Sequence, residues 1–468
     1  MTVMTAVTPS EDTAALTAER FRTMSVTQPD GLGPVSTEGL PPGPRWPAWV
    51  QTLALLRFRH RFHHYLQNTY GDAFTIRLLP GGRPLVMLTR PEDAREIFAG
   101  DPEVFYAGKA NGILGPIMGE HSLLLQDSGQ HKRARKLLMP AFNGAALREY
   151  ADLVADVARA EVDTWTDGES FRSLDRMNRL TLEVILQVVF GVTDEERLAA
   201  LRPRVNATVD ISPLVLLGWG EPRLQRFGPW KRTVDNQVEL DRLMYAEIRE
   251  RRQVSDLAER GDVLSRLMMV GDEGEGALDD TELRDQLVTL LLAGHETTAT
   301  ALAWALYELG RDAEQLRRAQ AAADAGDADG LAYLEAVLKE SMRLHPVIPM
   351  VVRTLMKPTT VGGWHLPTGA TVGPSIILAH AKTSNHDRAE RFDPDRFVGQ
   401  NPAANTWIPF GGGVRRCIGA GFAQMEGAVV LREVLSRYSV ASTGDDVPKV
   451  RNITSVPREG AGIRITRR

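Results

Sequence analysis

The chain has 468 residues, 43% of them hydrophobic and 25% charged, a globular balance with enough chain for a large core and too little bias for a fibre or a disordered polymer. Its formal net charge of −5 argues against a general nucleic-acid binder, which needs a surplus of Lys and Arg. One cysteine in the whole sequence rules out an intramolecular disulfide, which fits a cytoplasmic setting.

Residues 1–40 are rich in Thr, Ser, Ala, Gly and Pro without periodicity and read as a flexible tail, lacking the basic start and apolar run of a secretory signal. Pro41-Pro42-Gly43-Pro44 then stiffens the chain, and one catalytic unit is expected over 41–468. The apolar stretch 46–56 is too short to span a membrane, and 287–306 carries His295 and Glu296 at its centre. No transmembrane anchor is expected, although contact of 46–56 with a membrane surface stays open. Spacing predicts a helix over 62–70 closed by Gly71, strands over 73–79 and 84–89 about Pro80-Gly81-Gly82, and a short helix over 91–98. Helical periodicity dominates from 145 to 310, as in Leu180, Leu182, Ile185, Leu186 and Val189. A strand is predicted over 371–378 and a last helix over 421–438. The fold class is therefore mainly α with small β-sheets.

Within this layout Asp280 is the expected N-cap of a helix of roughly 30 residues running to Gly310, about 45 Å long. Its centre, Ala293-Gly294-His295-Glu296-Thr297-Thr298, weakens the helix, because Gly is flexible and Thr hydroxyls capture backbone carbonyls. A groove there gives room for a small molecule, with Thr297 and Glu296 able to donate and relay protons. The pair His295-Glu296 also suggests a zinc helix, but Ala299 stands where the second histidine is required. A kink that serves only packing is the plainer alternative.

Lys339-Glu340-Ser341-Met342-Arg343 places Glu340 and Arg343 three apart on one helix face, by default a surface ion pair. His131 and Arg135, four apart, share a basic face with Lys132, Arg133 and Lys136. Finally, Phe410-Gly411-Gly412-Gly413-Val414-Arg415-Arg416-Cys417-Ile418-Gly419 sets the one thiol in a glycine-dense loop before a helix. Glycines let backbone approach a flat cofactor, while loop N–H groups and the helix start stabilise a thiolate. A buried inert thiol is the ordinary alternative.

The spacing Phe410-x-x-Gly413-x-Arg415-x-Cys417-x-Gly419 resembles the haem-binding loop of the cytochrome P-450 superfamily, and 293–298 resembles that family's oxygen-activation motif. Glu340-x-x-Arg343 and Phe392-Asp393-Pro394-Asp395-Arg396-Phe397 resemble two further segments of it, in the expected order. The resemblance implies a single-domain cytochrome P-450 fold, a triangular α-rich body with a β-rich corner. Haem b (iron protoporphyrin IX) would lie between the long central helix and the cysteine-loop helix. It makes Cys417 the axial iron ligand, with Gly419 in the same loop, Phe410 shielding the sulfur, and Arg415, His131, Arg135 and Arg353 partners of the haem propionates. Thr297 becomes the proton-delivering alcohol and Glu296 its acidic neighbour, while Glu340, Arg343 and Arg396 form a structural network. Lys132, Arg133, Lys136 and Arg416 would present a positive face to an acidic electron donor.

The implied activity is insertion of one atom of dioxygen into a hydrophobic small molecule by hydroxylation or epoxidation, as in soluble bacterial members. No fused flavin domain follows Cys417, so electrons are expected from a ferredoxin and an NAD(P)H-dependent ferredoxin reductase, with the enzyme a monomer. Candidate pocket segments are 105–118, 214–229, 290–297, 347–352 and 453–456, mostly apolar. A haem-binding sensor and a peroxide-using family member are the competing readings; the pairing of Glu296 with Thr297 speaks against both.

Overall fold

Two apolar runs meet about the turn after Leu78 to give β1 (Ala73–Leu78) antiparallel to β2 (Arg83–Leu88), the edge of a five-stranded sheet. The computed structural model to which they belong describes residues 35–468 except 193, 219, 220, 222 and 271–275, together with positions 13, 15, 17, 19–21 and 32. The sheet continues through β8 (Thr371–Pro374), parallel to β2, then β5 (Arg353–Leu355) and β3 (Phe105–Tyr106), both joined antiparallel. Helices α1 (Ala48–Tyr70) and α2 (Pro91–Ala99) cover it, and two small cores of Val, Leu, Ile and Phe form around its faces. Three smaller sheets follow from β4 (Ser170–Arg172) with β12 (Gly462–Arg467) and β9 (Tyr438–Ser442), β6 (Thr359–Val361) with β7 (Trp364–Leu366), and β10 (Pro448–Arg451) with β11 (Thr454–Pro457).

The main core lies among helices: α3 (Ser128–Leu138), α4 (Gly144–Asp163), α5 (Ser173–Phe190), α6 (Glu195–Val209), α7 (Gly228–Arg251), α8 (Asp280–Gly294), α9 (Glu296–Leu309), α10 (Ala328–Leu344) and α12 (Ala420–Leu435). α8 and α9 are buried on nearly all sides; α9 is mostly apolar, while the first turns of α8 bury Arg284 as a partner of Asp241 and Asp285. Close approach fixes their place. A Cβ on Gly294 would sit 2.7 Å from Cδ1 of Ile185 on α5, and one on Gly427 of α12 would sit 2.2 Å from Cδ2 of Leu338 on α10. Trp304 stacks on His345 at 3.9 Å, and His345 Nε2 lies 2.7 Å from Glu308, pinning the end of α10 to α9.

Four expectations change in detail. The helix start falls one residue earlier: Asp279 accepts from the Glu282 N–H, and Glu282 returns the bond, a reciprocal cap that Asp280 does not make. The first helix begins at Ala48 rather than near 62, with a break at Phe58. The stretch 371–378 is half strand and half helix, because Ser375 accepts from the Leu378 N–H and opens α11 (Ile376–Ala381). The expected tail over 1–40 lies largely outside the described residues, but where described it is anchored. Thr17 donates to Asp241 at 2.6 Å, Arg20 reaches Asp241 at 2.9 Å, and Phe21 is buried in the main core.

Candidate active site

The site begins with a broken helix. His295, with φ −97° and ψ −55°, separates α8 from α9, and its carbonyl accepts both from the Ala299 N–H and from Thr181 Oγ1, each at 3.0 Å. Thr297 Oγ1 donates to the Ala293 carbonyl at 2.7 Å, and Thr298 Oγ1 to Gly294 at 3.4 Å, the capture of carbonyls expected of consecutive threonines. Ala293 is exposed although residues 287–291 just before it are buried, so the break opens onto an internal hollow.

Glu296 turns the other way. Its carboxyl is buried, 3.4 Å from Thr454 Oγ1 on β11 and 3.3 Å from Arg451 Nη1 on β10; Arg451 in turn binds Asp210, which is exposed. Burial pushes the Glu296 carboxyl up to about 7, against the pull of Arg451 and Thr454 and with the push of Asp210. His295, beside it, is held neutral by burial, down to about 4.

In the cysteine loop, the Cys417 N–H donates to the Phe410 carbonyl at 2.9 Å and closes the loop ahead of α12. Phe410 is held edge-on by Trp407 at 5.8 Å. The Cys417 thiol lies deep in the protein, where burial raises its pKa while the Gly419 N–H, Arg135 and Arg416 lower it, yet the residue is solvent-accessible. Depth with access means that the residue borders an internal space. A Cβ on Gly419 would meet nothing within 4 Å, so open space also lies on that side. Gly412 and Gly413 correct the expectation that all the loop glycines serve a cofactor: a Cβ on either would strike Phe98 of α2, at 2.3 Å from its ring and 1.9 Å from its carbonyl oxygen respectively.

At one edge three arginines and a histidine gather. His131 is pushed down to about 3 by burial and by Arg415, Arg135 and Arg353; Arg353 is lowered to about 10 by burial and Arg415. Arg353 donates to the Val352 carbonyl at 2.9 Å and pairs with no carboxylate among the described residues. Arg415 is taken up by Asp127 and the Gln126 carbonyl, with Leu123 O at 3.3 Å. Mutually repelling buried cations want anions. A flat cofactor with two carboxylates and a metal that takes a thiolate fits this donor set: Cys417 for the metal, His131, Arg135, Arg353 and Arg415 for the carboxylates.

Glu340, Arg343 and Arg396 meet as one buried group. Arg343 binds both Glu340 oxygens at 2.7 and 2.8 Å, Arg396 approaches Glu340 at 3.3 Å, and Arg343 also donates to the carbonyls of His380, Ala389 and Arg391. Lys132, Lys136 and Arg416 are exposed, but Arg133 is held by Glu282 at 2.6 Å and does not join them. Of the expected pocket segment 214–229, positions 219, 220 and 222 lie outside the described residues. The reading of the sequence missed Arg451, Asp210 and Asp127, and named Thr454 only as part of the pocket segment 453–456; no local pattern marks their contacts, since each acts on a residue far along the chain.

A family model described as cytochrome P450 matches residues 41–463. Cytochrome P450 135A1 of Mycobacterium tuberculosis is 50% identical over 432 residues, covering 92% of this chain and 96% of the relative. Cytochrome P450 135B1 of Mycobacterium bovis is 43% identical over 435 residues, covering 92% of each. Among solved structures, a cytochrome P450DA haem domain superposes with a TM-score of 0.80 at 25% identity, over 93% of this chain and 98% of that one. A retinoic acid-bound cyanobacterial CYP120A1 gives 0.81 at 24% identity, over 92% and 99%, a likeness of fold.

Proposed function

The chain belongs to the cytochrome P450 family of haem-containing monooxygenases, and on that premise we propose that it inserts one oxygen atom into an apolar small molecule by hydroxylation or epoxidation. Electrons come, on this reading, from a ferredoxin and its NAD(P)H-dependent reductase, and the enzyme works as a cytoplasmic monomer. When bound, haem (iron protoporphyrin IX) supplies the binding and reductive activation of dioxygen.

The observation that carries the reading is the acid and alcohol at the helix break. A carboxyl near neutrality both gives and takes a proton at physiological pH, and Glu296 is lifted to about 7. Thr297 donates its hydroxyl hydrogen to Ala293, which leaves its lone pairs to accept a donor in the hollow. Thr454, Arg451 and Asp210 link Glu296 outward to solvent, a route by which protons are replenished. Cys417 would ligate the iron, and Arg353, His131, Arg135 and Arg415 would hold the cofactor by its carboxylates.

The test is turnover of a panel of apolar compounds with dioxygen and a ferredoxin system. Wild-type enzyme forms oxygenated product; Thr297→Ala and Glu296→Gln keep haem and substrate binding while product per electron consumed falls about tenfold or more. Product formed only with added peroxide, or none with any electron donor, contradicts the reading.

A further inference from the structure

From Gly39 to Gly71 the sequence contains no Asp or Glu, yet it carries Arg45, Arg57, Arg59, Arg61 and three histidines, within a chain of net charge −5. This is the segment of α1. The helix is broken at Phe58 (φ −132°, ψ 30°) although no Pro or Gly lies within it, and its two arms fold back so that Trp46 stacks on Tyr65 at 5.7 Å and on Phe62 at 6.1 Å. Large apolar side chains point outward from it: Trp49 is 61% exposed, Leu53 56% and Phe58 50%. Such side chains clustered in one short segment mark a surface that meets something apolar.

At the elbow a cleft of about 330 Å³ runs between α1 and the β10–β11 hairpin, lined by Arg57, Phe58, Arg61, Val447, Val450 and Arg458. The Arg57 guanidinium lies over the Phe58 ring at 5.0 Å. No carboxylate pairs with Arg57, Arg61 or Arg458 among the described residues. The acids of the hairpin lie on another side: Asp445, Asp446 and Glu459 line a separate cleft with Phe171 and Arg172, Asp445 reaching Arg311 at 3.5 Å and Asp446 accepting from the backbone N–H groups of Glu459 and Ala461. The elbow is also rigidly mounted, since Arg59 points inward and donates to the carbonyls of Thr454 at 2.9 Å and Ile453 at 3.2 Å.

We propose that this elbow docks the enzyme on an anionic lipid surface, with Trp49, Leu53 and Phe58 entering the headgroup region and Arg57, Arg61 and Arg458 holding lipid phosphates. Charge decides the occupant. Unpaired arginines match phosphate in geometry and sign, and Trp beside them suits the boundary between headgroup and acyl chain. An apolar protein partner would leave these guanidiniums unpaired. No described helix is long and apolar enough to cross a membrane, so the contact is peripheral.

The experiment is co-sedimentation of the haem-loaded full chain with vesicles of phosphatidylcholine alone, or of equal parts phosphatidylcholine and phosphatidylglycerol. The wild type is expected to bind the anionic vesicles, with a blue shift of tryptophan emission, and to be released by salt. Each arginine removed should weaken binding about fivefold. Arg57→Glu with Arg61→Glu should therefore lose well over tenfold, and Trp49→Ser with Phe58→Ser should lose both binding and the emission shift. Haem content and melting temperature, unchanged in both pairs, separate loss of docking from loss of fold. Failure of the wild type to bind anionic vesicles, or binding that the arginine pair leaves intact, overturns the proposal. So does lipid-free self-association through the same residues, which would make this a face between copies.

Discussion

The Arg451 guanidinium stands 3.3 Å from the buried carboxylate of Glu296 and is held from the solvent side by Asp210. Arg451 pulls the Glu296 proton affinity down and Asp210 pushes it up. Arg451→Leu should therefore raise the Glu296 pKa above about 7, and Asp210→Asn should lower it, each by about one unit. Difference infrared titration of the carboxyl band, assigned with Glu296→Gln, checks this. Shifts of the same sign in both variants would refute the arrangement.

Glu426 on α12 is a second buried acid, its pKa lifted by burial to about 8 against the pull of the nearby Thr298 hydroxyl. An acid raised above its unfolded value of roughly 4.5 holds an extra proton when folded. Its effect on stability is thus most favourable below about pH 4.5, is lost as pH rises to about 8, and is constant beyond. Glu426→Gln should leave stability nearly unchanged at pH 5 and raise it at pH 8 by roughly 3 kcal/mol. Melting curves of both proteins at the two pH values decide; a variant less stable at pH 8 would contradict the neutral-acid state.

Glu340 is completely buried and shared by Arg343 and Arg396. Glu340→Gln strands two cations and Arg343→Leu strands one carboxylate, so each should cost about 3–5 kcal/mol, with Arg396→Lys costing less because that side chain reaches solvent. Denaturant unfolding of the haem-free proteins measures this without reference to activity. A cost under about 1 kcal/mol would place the group among ordinary surface pairs.

The motifs at 293–298 and 410–419 were legible because their chemistry confines residue types to a short window: an alcohol beside an acid at a helix break, a thiol among glycines. The network of Glu340 and Arg343 was legible for the same reason. What surrounds these motifs was not. Arg451 and Thr454 meet Glu296 only because the C-terminal hairpin folds over the central helix, and Gly412 and Gly413 answer to Phe98, more than 300 residues earlier. Local rules also misled. β-Branched Ile376 and Ile377 suggest strand, but the Ser375 cap makes them helix. Asp279 and Asp280 are equivalent caps by type, and only the reciprocal bond to Glu282 distinguishes them.

Arg415 repels both Arg353 and Arg135, beside a neutral His131, where two haem carboxylates would bind. Arg353→Leu should accordingly stabilise the haem-free protein while weakening its hold on haem about tenfold or more. Melting temperatures with and without cofactor, and the rate of haem transfer to an acceptor protein, test both halves. A variant destabilised equally in both states would remove Arg353 from the carboxylate site.

Ligation of iron by Cys417 is tested most directly by the visible spectrum of the reduced protein under carbon monoxide. The wild type should show the strongly red-shifted Soret band of a thiolate-bound haem, and Cys417→Ser should lose it while remaining folded. A wild-type spectrum without that shift, or a serine variant that keeps it, would contradict the account.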